Sequence, residues 1–417
     1  MDVRDNLYQR VPLRAEECDS KTSLAEDYKT YVEYYTADRL PKIRCHCGRV
    51  KCLAALITGV LVIVLIFSSY RGHTGQAMEV QTPMKSLGGE LHCDEEIIRP
   101  SLTIPTNVNQ VRPADIKVVA AMGDSITAAT YSKNFEEEHR KTVYPGNSYI
   151  SGGDGTLQDQ ITVGKILREL NHGIMGLSQG EGYKNTGFNV AISGRTSEDL
   201  PRQASELVSR MRQQGVNLAG DWKLVTIFIG TNDLQKFGCT GRTSEPISRE
   251  DYKAYLVKAI SFLRENLNRT IVSIIPMWNS QLAIEAHSLI LDEKRLQCGD
   301  HYMEKRDILC GEYRKAAYEI QDSRMFDRED FTVVVQGFMD EITDAFRNSS
   351  GVYDKTFYAV DMFHMSKYGN AVLGKFLWNA LLEPVGNKTA RPNLGDDSVP
   401  LKCPTKDRPY IQTLNNR

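Results

Sequence analysis

Val118-Val119-Ala120-Ala121-Met122-Gly123-Asp124-Ser125-Ile126 is the stretch whose reading decides the fold. With Ile116 and Lys117 in front of it, the run up to Met122 is short and apolar, the pattern of a buried parallel strand. It stops at Gly123, where the chain can turn in a way a Cβ would hinder, and Asp124-Ser125 then sets a hydroxyl just past the strand's carboxyl end. Open α/β sheets gather ligands and reactive groups at that edge. Taken alone, the motif is equally consistent with Asp124 or Ser125 capping a helix.

Downstream, strand and helix patterns alternate. A helical pattern runs through residues 155–171, and Phe188-Asn189-Val190-Ala191-Ile192 reads as a strand ending in Ser193-Gly194. Leu200, Ala204, Leu207, Val208 and Met211 mark an amphipathic helix, followed by a strand, Leu224-Val225-Thr226-Ile227-Phe228-Ile229, that ends in Gly230-Thr231-Asn232-Asp233. Tyr252, Leu256, Ala259, Ile260, Leu263 and Leu267 mark another helix, with strands predicted at 270–276 and 331–336. Residues 280–325, charged and containing Cys298 and Cys310, read as a helical or irregular insertion. This alternation predicts an α/β domain: a parallel sheet with helices on both faces and right-handed crossovers.

The chain has 417 residues, 41% hydrophobic and 25% charged, with a formal net charge of −2. With a sequence pI near 6.5, no summed field argues for a nucleic-acid partner. Mean hydropathy of −0.38 excludes a polytopic membrane protein. Residues 53–70, uncharged and apolar all round, predict one transmembrane signal anchor near the lower length limit for a span. Lys42, Arg44, Arg49 and Lys51 precede it and only Arg71 follows closely. The positive-inside rule therefore leaves residues 1–52, a polar tail read as disordered, in the cytosol, and the rest lumenal or extracellular as in a single-pass type II protein. Residues 71–110 read as a stalk. The sequons at Asn268, Asn348 and Asn387 all lie beyond the anchor and agree with that orientation. Of nine cysteines, Cys93, Cys239, Cys298, Cys310 and Cys403 lie on the oxidising side; five is odd, so at least one thiol is left over or pairs between chains.

Three strands end in small polar groups: Gly123-Asp124-Ser125, Ser193-Gly194-Arg195 and Gly230-Thr231-Asn232-Asp233. In a parallel sheet these ends share one edge. Asp361-Met362-Phe363-His364-Met365-Ser366 comes just before a final helical pattern through Tyr368, Val372, Phe376, Leu377 and Leu381. These are the parts needed for acyl transfer. Ser125 is the candidate nucleophile, and His364 the base that activates it and then the acid to the leaving group. Asp361 is the group that holds the imidazole. Backbone N–H groups of Ser125 and Gly194 with the Asn232 side-chain amide form the candidate oxyanion hole, each donor worth about 3 kcal/mol.

Gly123-Asp124-Ser125, Gly194, Asn232 and Asp361-x-x-His364 resemble the blocks of the GDSL/SGNH hydrolase superfamily in its order Ser, Gly, Asn, His. The resemblance is closest to the animal phospholipase B branch. It is carried by the run from Val111 through Ser125, by Gly152-Gly153-Asp154-Gly155, Asn189-Val190-Ala191, Trp222-Lys223-Leu224-Val225-Thr226, Phe363-His364, Leu382-Glu383-Pro384-Val385-Gly386 and Leu401-Lys402-Cys403-Pro404. It implies a three-layer, flavodoxin-like SGNH domain over residues 111–390 with a C-terminal extension over 391–417. It also implies no cofactor, no metal, and hydrolysis of glycerophospholipid and lysophospholipid acyl esters by Ser125, Asp361 and His364. The single catalytic unit and amino-terminal anchor depart from the tandem repeats and carboxyl-terminal anchor of that branch, and a lone Cys239 stands where the branch often shows a cysteine pair.

Gly176-Leu177-Ser178-Gln179-Gly180 fits the nucleophile-elbow pattern, but a helical pattern precedes it where that motif needs a strand. A metal-dependent phosphoesterase would want paired histidines, and the eight here form no His-x-His or His-Glu-x-x-His. Two alternatives stay open. One is a carboxylesterase or acyltransferase acting on another lipid ester; the other is an idle, anchored ectodomain that binds a lipid or protein partner.

Overall fold

The computed structural model describes residues 85–133, 142–235, 246–279, 282, 300–343, 346–347, 354–361 and 363–416. Residues 1–84, which include the predicted tail and anchor and the first part of the predicted stalk, lie outside them, as do Asn348, Cys239 and Cys298. No helix among the described residues is long and apolar enough to cross a membrane.

Four strands, β1 (Ile116–Gly123), β2 (Trp222–Phe228), β3 (Thr270–Ile274) and β4 (Phe331–Val335), form a parallel sheet in the order β1-β2-β3-β4. Every residue of β2, β3 and β4 is buried, and in β1 only Lys117 is exposed. Strands without a polar face must be covered on both sides, and helices do this. The segment 188–192, predicted as a strand, runs beside β1 through single backbone bonds: Phe188 O accepts from Ala121 N–H, and Val190 N–H donates to Ala121 O at 2.9 Å.

The helices are α1 (Val163–Leu170), α2 (Leu200–Gln213), α3 (Thr231–Gln235), α4 (Arg249–Asn266), α5 (Asp300–Asp322) and α6 (Lys367–Leu381). From β2 the chain steps through α4 to β3 and through α5 to β4 in one direction, so right-handed crossovers put both helices on one face, where α2 and α5 pack on α4. The connection from β1 to the 188–192 edge steps the other way. It carries α1 to the opposite face, where α6 packs on it.

The helix predicted over 155–171 is shorter than its pattern. Thr162 caps α1 by accepting the Lys165 N–H at 3.1 Å, while the backbone ahead of it bonds elsewhere: Leu157 O accepts from Gly89 N–H, and Ile161 N–H donates to Leu87 O. Much of the segment predicted as helical or irregular is the long helix α5. Residues 85–110 lie against this body: Leu87 and Val108 are buried, and the Trp222 indole N–H donates to Pro105 O at 2.9 Å. Cys93 is disulfide-bonded to Cys403, tying this segment to the C-terminal extension, whose Ile411 N–H donates to Val111 O. Cys310 is buried in α5. Asn268 and Asn387 are exposed, and the Asn268 amide donates to Asp330 Oδ2 at 2.6 Å.

Candidate active site

The turn after β1 is built around Gly123, whose φ of +152° and position leave no room for a side chain: a Cβ would meet Phe228 O at 2.1 Å. The Gln203 side chain from α2 locks this strand end, accepting from Gly123 N–H at 2.7 Å and donating to Gly123 O at 2.8 Å. Asp124 Oδ1 accepts the Ile126 N–H at 3.0 Å, and Ser125, 4% exposed, receives the Thr130 N–H on its carbonyl. Ala129 and Tyr131 then take φ of +56° and +55°, a costly conformation for residues with a Cβ. These two strained residues curl the loop toward His364, and the Tyr131 ring packs edge-on to the imidazole at 5.4 Å between centroids.

Asp124 is wholly buried and sits near Asp233. Burial, with a smaller push from Asp233, raises its carboxyl to about 7 against the pull of the Ile126 N–H and nearby Thr231. Asp233 is tied to Ser197, whose N–H and hydroxyl both donate to it. These aspartates brace the loops.

The Asp361-to-His364 segment is a local device. Asp361 Oδ1 accepts the N–H groups of Phe363 at 3.2 Å and His364 at 3.0 Å, folding the chain back so that Oδ2 meets His364 Nδ1 at 2.5 Å. Burial works against ionising Asp361, but the His364 ring and these N–H donors outweigh it and hold the carboxyl below the usual range. Ala359 N–H donates to His364 O at 2.7 Å, and Ser366 caps α6 by accepting the Gly369 N–H at 3.0 Å, so the imidazole is fixed from both sides. Asn370 on α6 joins this segment to the Ser125 loop, its amide reaching Ser132 Oγ at 2.9 Å and Ser366 O at 3.0 Å. His364 Nε2 is buried and makes no hydrogen bond among the described residues, so the Ser125 hydroxyl is not bonded to it in this structure. Such contacts commonly close only around substrate.

The donor loops also meet. Gly194 has φ of +79° and is exposed, and the Asn232 side chain in α3 donates to Arg195 O at 2.9 Å, fixing one loop to the other. That bond uses one of the two amide N–H groups. Ser178 is fully buried and donates to Thr186 O at 2.7 Å, a structural serine. Among the described residues no three His, Cys, Asp or Glu side chains gather as metal ligands would.

Gln203, Asn370 and Tyr131 did not emerge from motif reading. Gln203 left a signal, since it falls on the apolar stripe of its helix between Leu200 and Ala204, where a polar residue needs a buried partner. Asn370 and Tyr131 left none.

The pattern of the GDSL-like Lipase/Acylhydrolase family matches residues 119–377, and the chain belongs to that family of ester-hydrolysing enzymes. Its relatives lie on the phospholipase B side of it. Membrane-associated phospholipase B1 of Homo sapiens is 34% identical over 353 residues, and that of Rattus norvegicus is 34% identical over 361, each match covering 81% of this chain. The chain spans about a quarter of the length of these relatives, 24% in both. Among solved structures, an acetylxylan esterase of Geobacillus stearothermophilus is similar at 18% identity and TM-score 0.34, over 63% of this chain and 93% of its own. A carbohydrate esterase of Talaromyces cellulolyticus matches at 13% identity and TM-score 0.31, over 61% and 93%.

Proposed function

We propose that this chain releases fatty acids from glycerophospholipids and lysophospholipids through a serine acyl-enzyme. One observation supports the mechanism: Asp361 and His364 are paired at 2.5 Å, His364 Nε2 is buried without a hydrogen bond among the described residues, and the imidazole packs against Tyr131 of the loop that follows Ser125. Asp361 accepts the Nδ1 proton and so leaves Nε2 as the basic nitrogen. Nε2 takes the Ser125 proton as Oγ attacks the ester carbonyl, and the tetrahedral oxyanion is met by the Ser125 and Gly194 N–H groups and the second N–H of Asn232. Collapse expels the lysolipid or glycerol oxygen, protonated by His364, and water repeats the cycle on the acyl-enzyme. The mechanism asks nothing of a cofactor. The phospholipid class is supported by the membrane-associated phospholipase B1 relatives, whose name also supports an anchor at residues 53–70. In this reading residues 1–52 are cytosolic, 71–110 lead from the membrane, 111–390 form the hydrolase domain with 391–417 packed on it, and Asn268, Asn348 and Asn387 carry glycans.

The test is acyl release by the full chain from phosphatidylcholine, lysophosphatidylcholine and neutral esters. Ser125→Ala is expected to lower kcat/KM on the phospholipids by about 10⁴-fold or more with the fold unchanged by circular dichroism. Release from neutral esters alone would keep Ser125 and move the chain to another lipid ester; a folded chain inert on every ester would leave the binding reading.

A further inference from the structure

Beside the loop that follows Ser125 lies a cleft of about 530 Å³. Two of its wall residues follow closely on the candidate active-site loops. Lys133 is two residues past Tyr131, whose ring packs on His364, and Lys367 is three residues past His364. Asn147, also in the wall, donates to Ser132 O at 2.5 Å, and the N–H of Tyr144 donates to Ala129 O at 3.0 Å.

The charges in this cleft are unevenly matched. Of its two carboxylates, Asp154 is occupied by the Gly180 N–H, which lies 3.0 and 3.1 Å from its two oxygens, and Glu181 is exposed. Lys85 is held by Asp397 at 3.1 Å, Asp354 at 3.4 Å and the Tyr368 hydroxyl at 2.6 Å. Lys133 and Lys367 have no carboxylate partner among the described residues; the Lys133 ammonium lies 5.7 Å from the Tyr144 ring centroid. Behind the wall is Lys165, fully buried. Its ammonium makes one hydrogen bond, to Gln160 Oε1 at 3.3 Å, and the Gln160 amide in turn donates to Asn147 O at 2.9 Å and Lys367 O at 3.3 Å. Asp154 and Asp159 lie near enough to offset part of the Lys165 charge, and Asp159 part of that of Lys367, but neither forms an ion pair with them, and Lys165 and Lys367 repel each other, so this opening keeps positive charge that a bound anion would relieve. In a glycerophospholipid the phosphate is only a few bonds from the acyl esters, so an ester carbonyl at Ser125 brings the phosphate to the neighbouring surface. A neutral ester has nothing to place there.

We infer that this cleft is the subsite for the phosphate of the lipid head group, bound by Lys133 and Lys367 while the acyl ester occupies Ser125. This rests on the phospholipid reading above and goes further by naming the residues that choose the substrate.

The experiment uses the full chain hydrolysing p-nitrophenyl butyrate, with sn-glycerol 3-phosphate, inorganic phosphate and glycerol as separate competitors. Glycerol 3-phosphate is expected to compete better than inorganic phosphate, and glycerol not at all. Lys133→Gln with Lys367→Gln is expected to raise its inhibition constant about tenfold, as losing charge-assisted contacts should, while the paired Arg substitutions keep most of the effect. Calorimetric titration of glycerol 3-phosphate into the same variants reports binding independently of turnover. No competition in the unaltered chain, or an unchanged constant in the Gln variant, overturns the subsite; inorganic phosphate competing equally well overturns its assignment to the head group. Because the readout uses a neutral ester, it is decided whether or not phospholipid proves to be the substrate, which the Ser125→Ala panel decides separately.

Discussion

The two ends of the parallel sheet treat buried polar groups in opposite ways. At the amino end of β2, Lys223 is fully buried and its ammonium donates to three carbonyls, of Leu218 at 2.8 Å, Asp221 at 2.6 Å and Asn268 at 3.0 Å. Next to it the Trp222 indole is bonded to Pro105. At the carboxyl end of β1, Asp124 is fully buried beside Asp233, which disfavours its ionisation further, and His364 Nε2, a short way off, is buried without a hydrogen bond among the described residues. The positive-φ residues Ala129 and Tyr131 fall at this end as well. A satisfied polar group stabilises one geometry, whereas an unsatisfied or strained one costs stability and survives where the surroundings hold it for another purpose. One end of the sheet holds the fold; the other keeps the candidate reactive groups uncommitted.

That contrast makes substitutions at the two ends separable. Asn232→Ala is expected to lower kcat on a fatty-acyl ester by about 10² to 10³-fold with little change in melting temperature, because one oxyanion donor is lost; equal losses on kcat and stability would make Asn232 a structural tie only. The next effect is in stability against pH. The Asp124 carboxyl is raised to about 7 in the folded chain, so its stabilising neutral form is fully present below the unfolded-state value and is lost as pH rises through the folded one. Between about pH 5 and pH 7 the unaltered chain should therefore lose roughly 2 kcal/mol relative to Asp124→Asn, read from urea unfolding. Parallel stability curves would mean that Asp124 is not held neutral. Smallest, and at the opposite end, Lys223→Met should cost about 1 kcal/mol, because the Asp221 carbonyl loses its donor while those of Leu218 and Asn268 keep the Asn268 N–H and the Thr270 hydroxyl, and should leave kcat/KM within about twofold. A large loss of turnover there would erase the distinction between the ends.

Much of this organisation is legible in residue order because its causes are local. The apolar run into Gly123, the helix stripes and the Asp361-to-His364 spacing each depend on a few neighbouring residues. The Asp361 turn shows this best: three residues of separation let one carboxylate accept two backbone N–H groups and still reach the imidazole. Local order also misled in places. The pattern over 155–171 is helical, yet the backbone ahead of Thr162 bonds to Leu87 and Gly89, from a segment that reads as a stalk.

The sequence by itself determined the alternation of strands and helices, the strand ends that carry Ser125, Gly194 and Asn232, and the kind of chemistry those residue types with Asp361 and His364 can do. Only the tertiary structure decided which polar groups brace that chemistry: Gln203 clamping Gly123 across 80 positions, Asn370 joining the Ser125 and His364 loops across 238, and Cys93 meeting Cys403 across 310. The reason is physical. Periodicity and turn propensity act over a few residues, whereas the partner of a buried amide or thiol is set by how distant elements pack.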